Sequence, residues 1–427
     1  MTPEDAVQRT QALIESLFAG HRDEIAVRLW EGTVWPDDTP KAATIVLHHP
    51  ATLSQMFRRA NEVALAEAYL FDDFDVEGDM EAIHGLADTL QALLQQRGAA
   101  LRLLPKVLRL PRRDLRREAD RGRARMQGQQ HSADRDRQAI SYHYDVSNDF
   151  YQLWLDQRMV YSCGYFRAMD GGLDEAQADK LDMLCRKLRL QPGQRLLDLG
   201  CGWGGLLIWA AKHFGVDATG ITLSKEQASL ANERIAEAGL SERCRVRVQD
   251  YREVQDWGTW DALVSVGMFE HVGKAMLPTY FERALRLLKP GGVFLNHGIA
   301  RNYCIPWRRK GTFTQAYVFP DGELVPISET VDAAEAVGFE VRDVESLREH
   351  YALTLRHWVR RLEAHHAEAL RHVSEPTYRV WRLFMSGSAH GFGSGRLNLY
   401  QTLLVKPNDT WGSGLPLTRE AWYREDR

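Results

Sequence analysis

Apolar and polar positions change rhythm along the chain near Ile140. Ahead of it the pattern is mixed. Ala43–Leu47 (ATIVL) is a short β-branched run ended by HHP, Leu53–Leu70 has helical spacing, FDDFDVEGDM reads as an acidic turn, and Met80–Gln95 is helical again. In Leu101–Leu110 (LRLLPKVLRL) Leu and Val alternate with Arg and Lys, and Pro105 is expected to break any single helix through it. Beyond Ile140 strands are predicted at 195–199, 216–221, 245–249, 262–266 and 293–296, and helices at 203–214, 225–238 and 277–288. This alternation predicts an α/β fold: an open, mostly parallel sheet with helices on both faces. After Glu345 the chain turns helical, with Tyr351, Leu355, Trp358 and Leu362 on one helical face, and Leu397–Val405 alternates as a closing antiparallel strand.

The 427 residues leave room for two or three domains, and 44% hydrophobic with 26% charged residues excludes a disordered or collagen-like chain. No run of about 18 apolar residues offers a membrane-spanning helix, and MTPEDAVQRT lacks a secretory signal pattern. Cys163, Cys185, Cys201, Cys244 and Cys304 are scattered without CxxC spacing, so they read as reduced thiols of a cytoplasmic protein rather than zinc ligands or a redox pair. The net charge of −4 hides an asymmetry. From Arg102 to Arg125 ten basic residues face three acidic ones, a local charge of +7 that leaves −11 on the rest. Such a belt is either a solvated linker or a surface for anionic lipid; no DNA- or RNA-binding motif accompanies it, so nucleic acid is not expected. The expected division is an accessory domain over 1–95, read as structural or lipid-interacting, a basic linker over 96–137, and a domain over 138–427 that its motifs mark as the catalytic one.

LLDLGCGWGG (196–205) is the strongest local signal. A strand ends in Asp198 and runs into Gly200, Gly202 and Gly204, which let a backbone approach a ligand closely and open the next helix. A dinucleotide site would want a carboxylate at the end of the second strand. Here that strand ends in Thr222, Leu223 and Ser224, and Thr222 and Gln227 are left to bond a ribose. Asp250 and Tyr251, after the third strand, sit where an adenine contact is expected. The pattern favours S-adenosylmethionine.

The blocks HYDVSNDFY (143–151), YSCGYF (161–166), KLRLQPGQRLLDLGCGWGG, GITLSKEQ, QDYREV, VSVGMFEHVG (264–273), LNHGI (295–299) and EHYALTL (349–355) follow one another over most of 141–405. In identity and order they resemble the signature blocks of the cyclopropane-fatty-acyl-phospholipid synthase family, which includes the mycolic acid cyclopropane synthases. The resemblance implies a Rossmann-like class I methyltransferase fold with a mostly parallel seven-stranded sheet, a helical acyl-binding cover and a small N-terminal α+β domain. It implies transfer of a methylene group from S-adenosylmethionine to the cis double bond of unsaturated acyl chains in membrane phospholipids. The alkene attacks the sulfonium methyl group and a carbocation is left on the chain. Methylation without ring closure is the alternative in the same family. The implied enzyme is peripheral to the inner face of the cell membrane, held there through the basic linker and N-terminal domain, with a homodimer left open.

A carbocation needs a dry, electron-rich pocket, and aromatic faces stabilise a cation without quenching it. Tyr161, Tyr165, Phe166, Phe269 and Tyr280 are the candidates. In the family a bicarbonate ion takes the methyl proton. Residue by residue its holders carry over to the side chains of Glu270, His297 and Tyr351 and to backbone groups at Cys163 and Ile299, while Tyr161 and Ser162 join the cofactor residues. Cys163 lacks the partners of a nucleophile, and His271 reads as a turn residue. One departure stands out: Ser388 occupies a place where many members carry a cysteine.

Overall fold

The structure, a computed structural model, describes residues 2–59, 61–95, 98–111, 122–144, 146–306, 311–410 and 412–423. It forms two compact units. The first comprises 1–123, 310–318 and 366–390; the second comprises 124–309, 319–365 and 391–427.

The first unit opens with helix Pro3–Phe18. Thr2 and Asp5 cap it reciprocally, and Leu13, Ile14, Leu17 and Phe18 form its buried stripe. Strands β1 (Ile25–Arg28), β2 (Val34–Trp35), β3 (Ala43–Leu47) and β4 (Phe74–Gly78) follow in the order β2-β1-β3-β4, with β1 and β3 parallel. The expected acidic turn therefore contains strand β4, because Phe74 and Val76 alternate inward against β3. The helical stretch 53–70 is two helices, Thr52–Arg59 and Glu62–Leu70, since Asn61 starts the second by accepting from the Ala64 amide at 2.9 Å. Pro105 lies inside helix Ala99–Leu108 instead of ending it. Burial of Leu103 and Leu110 and a bond from Arg9 to the Arg109 carbonyl offset the interior proline, whose cost is about 3 kcal/mol.

Segment 366–390 was expected in the catalytic domain but belongs to this unit. Arg379 explains why: buried, it donates to the Tyr69 carbonyl at 2.9 Å and pairs with Asp72 and Asp75, while Arg382 reaches the Val76 carbonyl at 3.1 Å. The 96–137 linker is likewise divided, its first part being helix 99–108. Half of the ten basic residues of the belt, Arg112, Arg113, Arg116, Arg117 and Arg121, lie outside the described residues.

The second unit holds a seven-stranded sheet of β5 (Arg195–Leu199), β6 (Asp217–Thr222), β7 (Cys244–Val248), β8 (Trp260–Val266), β9 (Leu288–Arg301), β10 (Glu340–Ser346) and β11 (Leu397–Val405). The order is β10-β11-β9-β8-β5-β6-β7, with only β11 antiparallel to its neighbours. Leu196, Leu207, Ala210, Val216, Val264 and Leu295 are among the core residues between the sheet and its helices. Strand β10 was not anticipated, because on this edge strand Val344 is exposed and Asp343 is buried, the reverse of an alternating pattern. Topology reverses at β5, which pairs with β6 on one side and β8 on the other. Ligands of open α/β sheets bind at the carboxyl ends beside such a switch point.

Candidate active site

The carboxyl ends of β5, β6, β7 and β8 open into one cleft of about 1120 Å³, part of it continuous with solvent. Of the expected cofactor residues, Tyr161, Ser162, Asp198, Gly200, Gly202, Thr222, Leu223, Gln227, Asp250 and Tyr251 line it. Gly202 has φ +52° and a Cβ added there would meet nothing within 4 Å, so its backbone faces open space in the turn. Gly204 is the exception. It stands behind the turn, where an added Cβ would come within 3.2 Å of the Ala231 Cβ, so it serves the packing of helix 205–214 on helix 225–237.

Asp198 is buried and its Oδ1 has no hydrogen-bond partner. Burial raises its carboxyl to about 7, against the pull of Lys180. The Lys180 Nζ, equally buried, donates to Ser162 Oγ at 2.9 Å, and desolvation lowers it to about 8. Sequence reasoning missed Lys180. The available signal is its place on helix Leu173–Lys187, on the same stripe as the buried Gln177, Leu181 and Leu184. Thr222 donates to Gln227 Oε1 at 2.7 Å, so the two expected ribose ligands hold each other in place. Asp250 caps the following turn and is clasped by Arg252, which also binds Asp136 at 2.9 Å. Asp136, Ile140 and Tyr144 bring helix Ala133–Tyr144 into the wall of the cleft.

The five residues expected to handle the proton do not line this cleft. Glu270 follows β8 on the short turn Phe269–His271; its Oε1 accepts the Ile299 N–H at 2.6 Å and its Oε2, also buried, has no partner. Burial raises this carboxyl to about 7. The Ile299 amide, expected to face a bound anion, is therefore given to Glu270: the turn after β8 brings the carboxylate to that amide on β9, and a buried carboxylate retains a donor of this kind. His297, on β9, is 1% exposed; its Nδ1 faces the Gln401 amide nitrogen at 3.2 Å and its Nε2 is unpartnered. Desolvation, aided by Lys180 and Lys187, holds it far below the usual imidazole range, so the ring is neutral. Tyr351 sits on helix Arg348–Ala364 with its ring 4.7 Å from that of Phe392. Burial pushes its phenol up, and Cys163, Glu270 and Tyr144 act on it in the same direction. The Cys163 thiol is buried, donates to the Gly164 carbonyl at 3.1 Å and is pushed up by desolvation, which agrees with no nucleophilic role.

Tyr144 joins the two regions: it lines the cleft, and its phenol is raised by burial first and then by the charge of Glu270. Of the five aromatic candidates only Tyr161 reaches the cleft. Tyr165 and Phe166 pack on His350, and Phe269 and Tyr280 belong to the core with Phe281 and Phe294, because their helix and turn present those faces to the sheet. Tyr144, Tyr151, Trp154, Trp203 and Trp358 instead crowd around Tyr161 or its neighbours with ring centroids 4.9–6.3 Å apart. His271 lines the cleft and burial lowers it to about 4, so it too is neutral.

This sheet order, with a glycine turn and cleft at its switch point, is that of the class I S-adenosylmethionine-dependent methyltransferases. Within that class the chain belongs to the mycolic acid cyclopropane synthetase family, whose model matches residues 131–402. A probable fatty acid methyltransferase of Pseudomonas putida is 41% identical over 404 residues, covering 94% of this chain and 96% of its own. The cyclopropane-fatty-acyl-phospholipid synthase of Escherichia coli strain K12 is 37% identical over 268 residues, 62% of this chain and 66% of its own. The solved mycolic acid cyclopropane synthase CmaA1 in complex with SAH and CTAB superposes with a TM-score of 0.60 at 35% identity, covering 63% of this chain and 98% of that one. The protein is thus an S-adenosylmethionine-dependent enzyme that transfers a methyl or methylene group to fatty acyl chains.

Proposed function

We propose that this enzyme carries the methyl carbon of S-adenosylmethionine to the cis double bond of an unsaturated phospholipid acyl chain and closes a cyclopropane ring there. The observation that supports ring closure is the buried pair of Glu270 and His297, each with one unpartnered polar atom, beside the cofactor cleft. An acceptor oxygen and a donor nitrogen suit a small oxyanion carrying a proton, so these residues fit the bicarbonate that the family likeness implies. Glu270, His297 and Tyr351 would hold it, with no contribution from the Ile299 amide. When bound, S-adenosylmethionine supplies an electrophilic methyl group and bicarbonate a base.

The chain's own residues do the rest. The glycine turn admits the cofactor close to β5 and leaves no side chain in its way. The aromatic cluster around Tyr161 offers π faces to a developing cation and excludes water that would trap it. Neutral His297, Tyr351 and Tyr144 add no positive charge to that environment. Helices after Glu345, notably Arg348–Ala364, would cover the acyl chain.

A second reading, methylation without ring closure, is supported by the name of the Pseudomonas putida relative, which matches nearly the whole chain, and by the Ile299 amide being engaged with Glu270. Purified protein, labelled S-adenosylmethionine and vesicles of unsaturated phospholipid, followed by product NMR, separates the two: ring resonances support the first, methyl-branched or methylene products the second.

Membrane association is part of the same proposal. The net +7 segment 102–125 and the exposed Leu104 and Leu108 suit the anionic inner face of a cell membrane, where each basic residue contributes about 1 kcal/mol. Vesicle sedimentation tests it. Binding should fall with rising salt and on changing Arg112, Arg113, Arg116 and Arg117 to Glu; indifference to both would reduce the belt to a linker.

A further inference from the structure

Three adjacent strands bring one residue each into a row across the sheet: Glu345 of β10 is paired with Gln401 of β11, and Gln401 with His297 of β9. Under this row lies Lys187, the last residue of helix Leu173–Lys187, with a fully buried side chain. Its ammonium bonds Glu345 and donates to Gln401 Oε1 at 2.8 Å. Asp343 stands 4.0 Å away and the Trp422 ring 5.4 Å away, so the charge is balanced on the side remote from His297.

An ammonium group only donates, so the Gln401 amide has one way to lie: oxygen to Lys187 and NH₂ to the other side. On that other side is His297 Nδ1, at 3.2 Å. The NH₂ group only donates, so Nδ1 must accept, and in a neutral imidazole the proton then resides on Nε2. That Nε2 is the buried nitrogen without a protein partner.

We propose that Lys187 and Gln401 are positioning residues that set the tautomer of His297, so that its buried Nε2 carries an N–H donor on β9, two residues before the Ile299 amide that Glu270 holds. The Glu345–Lys187–Gln401 chain acts through His297 and touches no substrate. A ring in the opposite tautomer would offer a lone pair instead, and a proton-bearing oxyanion would lose a hydrogen-bond donor. This functional half rests on the proposed ring-closing reaction; the tautomer itself does not.

The test is ¹⁵N NMR of ring-labelled histidine in the full-length enzyme, with His297 assigned by difference from His297→Gln, together with calorimetry of S-adenosylhomocysteine and turnover. Wild type should show a pyrrole-type, protonated Nε2 and a pyridine-type Nδ1. Gln401→Glu, near-isosteric and acceptor-only, should invert the two signals, leave S-adenosylhomocysteine affinity within about twofold, and lower turnover at least tenfold. Lys187→Met should give a mixture of tautomers, because the amide is then free to turn. Should either variant fail to fold, the wild-type spectrum still decides: a protonated Nδ1 there overturns the proposal. Inverted signals with unchanged turnover would also overturn the positioning role. A wild-type product without a cyclopropane ring would remove the ring-closing reading and leave the tautomer assignment standing.

Discussion

The cofactor cleft and the group of Glu270, His297 and Tyr351 belong to one unit but are built from different materials. The cleft is made by backbone. Its glycine turn, strand ends and helix starts shape it; Asp250 is clasped by Arg252, while the buried Asp198 keeps Oδ1 without a hydrogen-bond partner and is opposed by the charge of Lys180. The Glu270 group is a set of side chains from the turn after β8, from β9 and from helix 348–364, and two of its polar atoms, Glu270 Oε2 and His297 Nε2, are buried without partners. An unpaired buried polar group costs about 1–3 kcal/mol, and a fold keeps such groups where they do chemistry. The contrast teaches that holding the cofactor and the proposed removal of a proton would fall to largely separate sets of residues. Tyr144, which lines the cleft and feels Glu270, and Lys180, which lines it and acts on His297, link them.

The sharpest break in that separation comes at Glu270. Glu270→Gln preserves size and the bond to the Ile299 amide region but deletes the acceptor charge. Turnover should fall on the order of 10²-fold or more, as for loss of a general base or its holder, while calorimetry finds S-adenosylhomocysteine affinity unchanged. Residual product should move from cyclopropane toward methylated chains.

The converse variant is Gly202→Val. Its side chain would project into space that the cleft leaves open. We expect at least a tenfold loss of S-adenosylhomocysteine affinity by calorimetry with the fold intact by circular dichroism; unchanged affinity would detach the glycine turn from the cofactor.

How far each region was legible follows the same divide. The turn at 196–205 and strands β5, β6 and β9 announce themselves through local signals, glycines and alternating apolar runs, and ten of the eleven cofactor residues line the cleft. Gly204 misled because helix packing and ligand approach select the same residue. The Glu270 group is assembled from positions far apart in the chain, so no local pattern announces it, and only the family blocks pointed to it. Tyr144, Lys187 and Gln401 escaped for a related reason: their partners lie on other elements, which no local pattern shows. The unit boundaries escaped because Arg379 and Arg382 carry a distant segment to β4 through buried hydrogen bonds.

The two buried acids also give a stability signature. Burial raises Glu270 from 4.5 and Asp198 from 3.8, each to about 7. The folded state therefore holds protons that the unfolded chain has released. Stability should decline as pH rises from about 4 to 7, with the full cost present above 7. At pH 8 urea denaturation should find Glu270→Gln more stable than wild type by about 1–3 kcal/mol, although it is nearly inactive. A less stable variant would mean that the carboxylate is compensated in the folded state.

The smallest effect belongs to Gly204→Ala. A residue at φ +78° with a 3.2 Å approach to Ala231 should cost about 1–2 kcal/mol of stability and barely change S-adenosylhomocysteine affinity. That outcome would separate the residue behind the turn from Gly202 at its face.

The central claim is that a methyl group arrives from the cleft and loses one proton before the product leaves. S-adenosylmethionine labelled with ¹³C and three deuteriums in the methyl group, incubated with the purified enzyme and vesicles of cis-unsaturated phospholipid, tests it directly. The account predicts a product whose added carbon retains two deuteriums and gives the ¹³C resonance of a cyclopropane ring. An added carbon that keeps all three deuteriums as a branch methyl would contradict it.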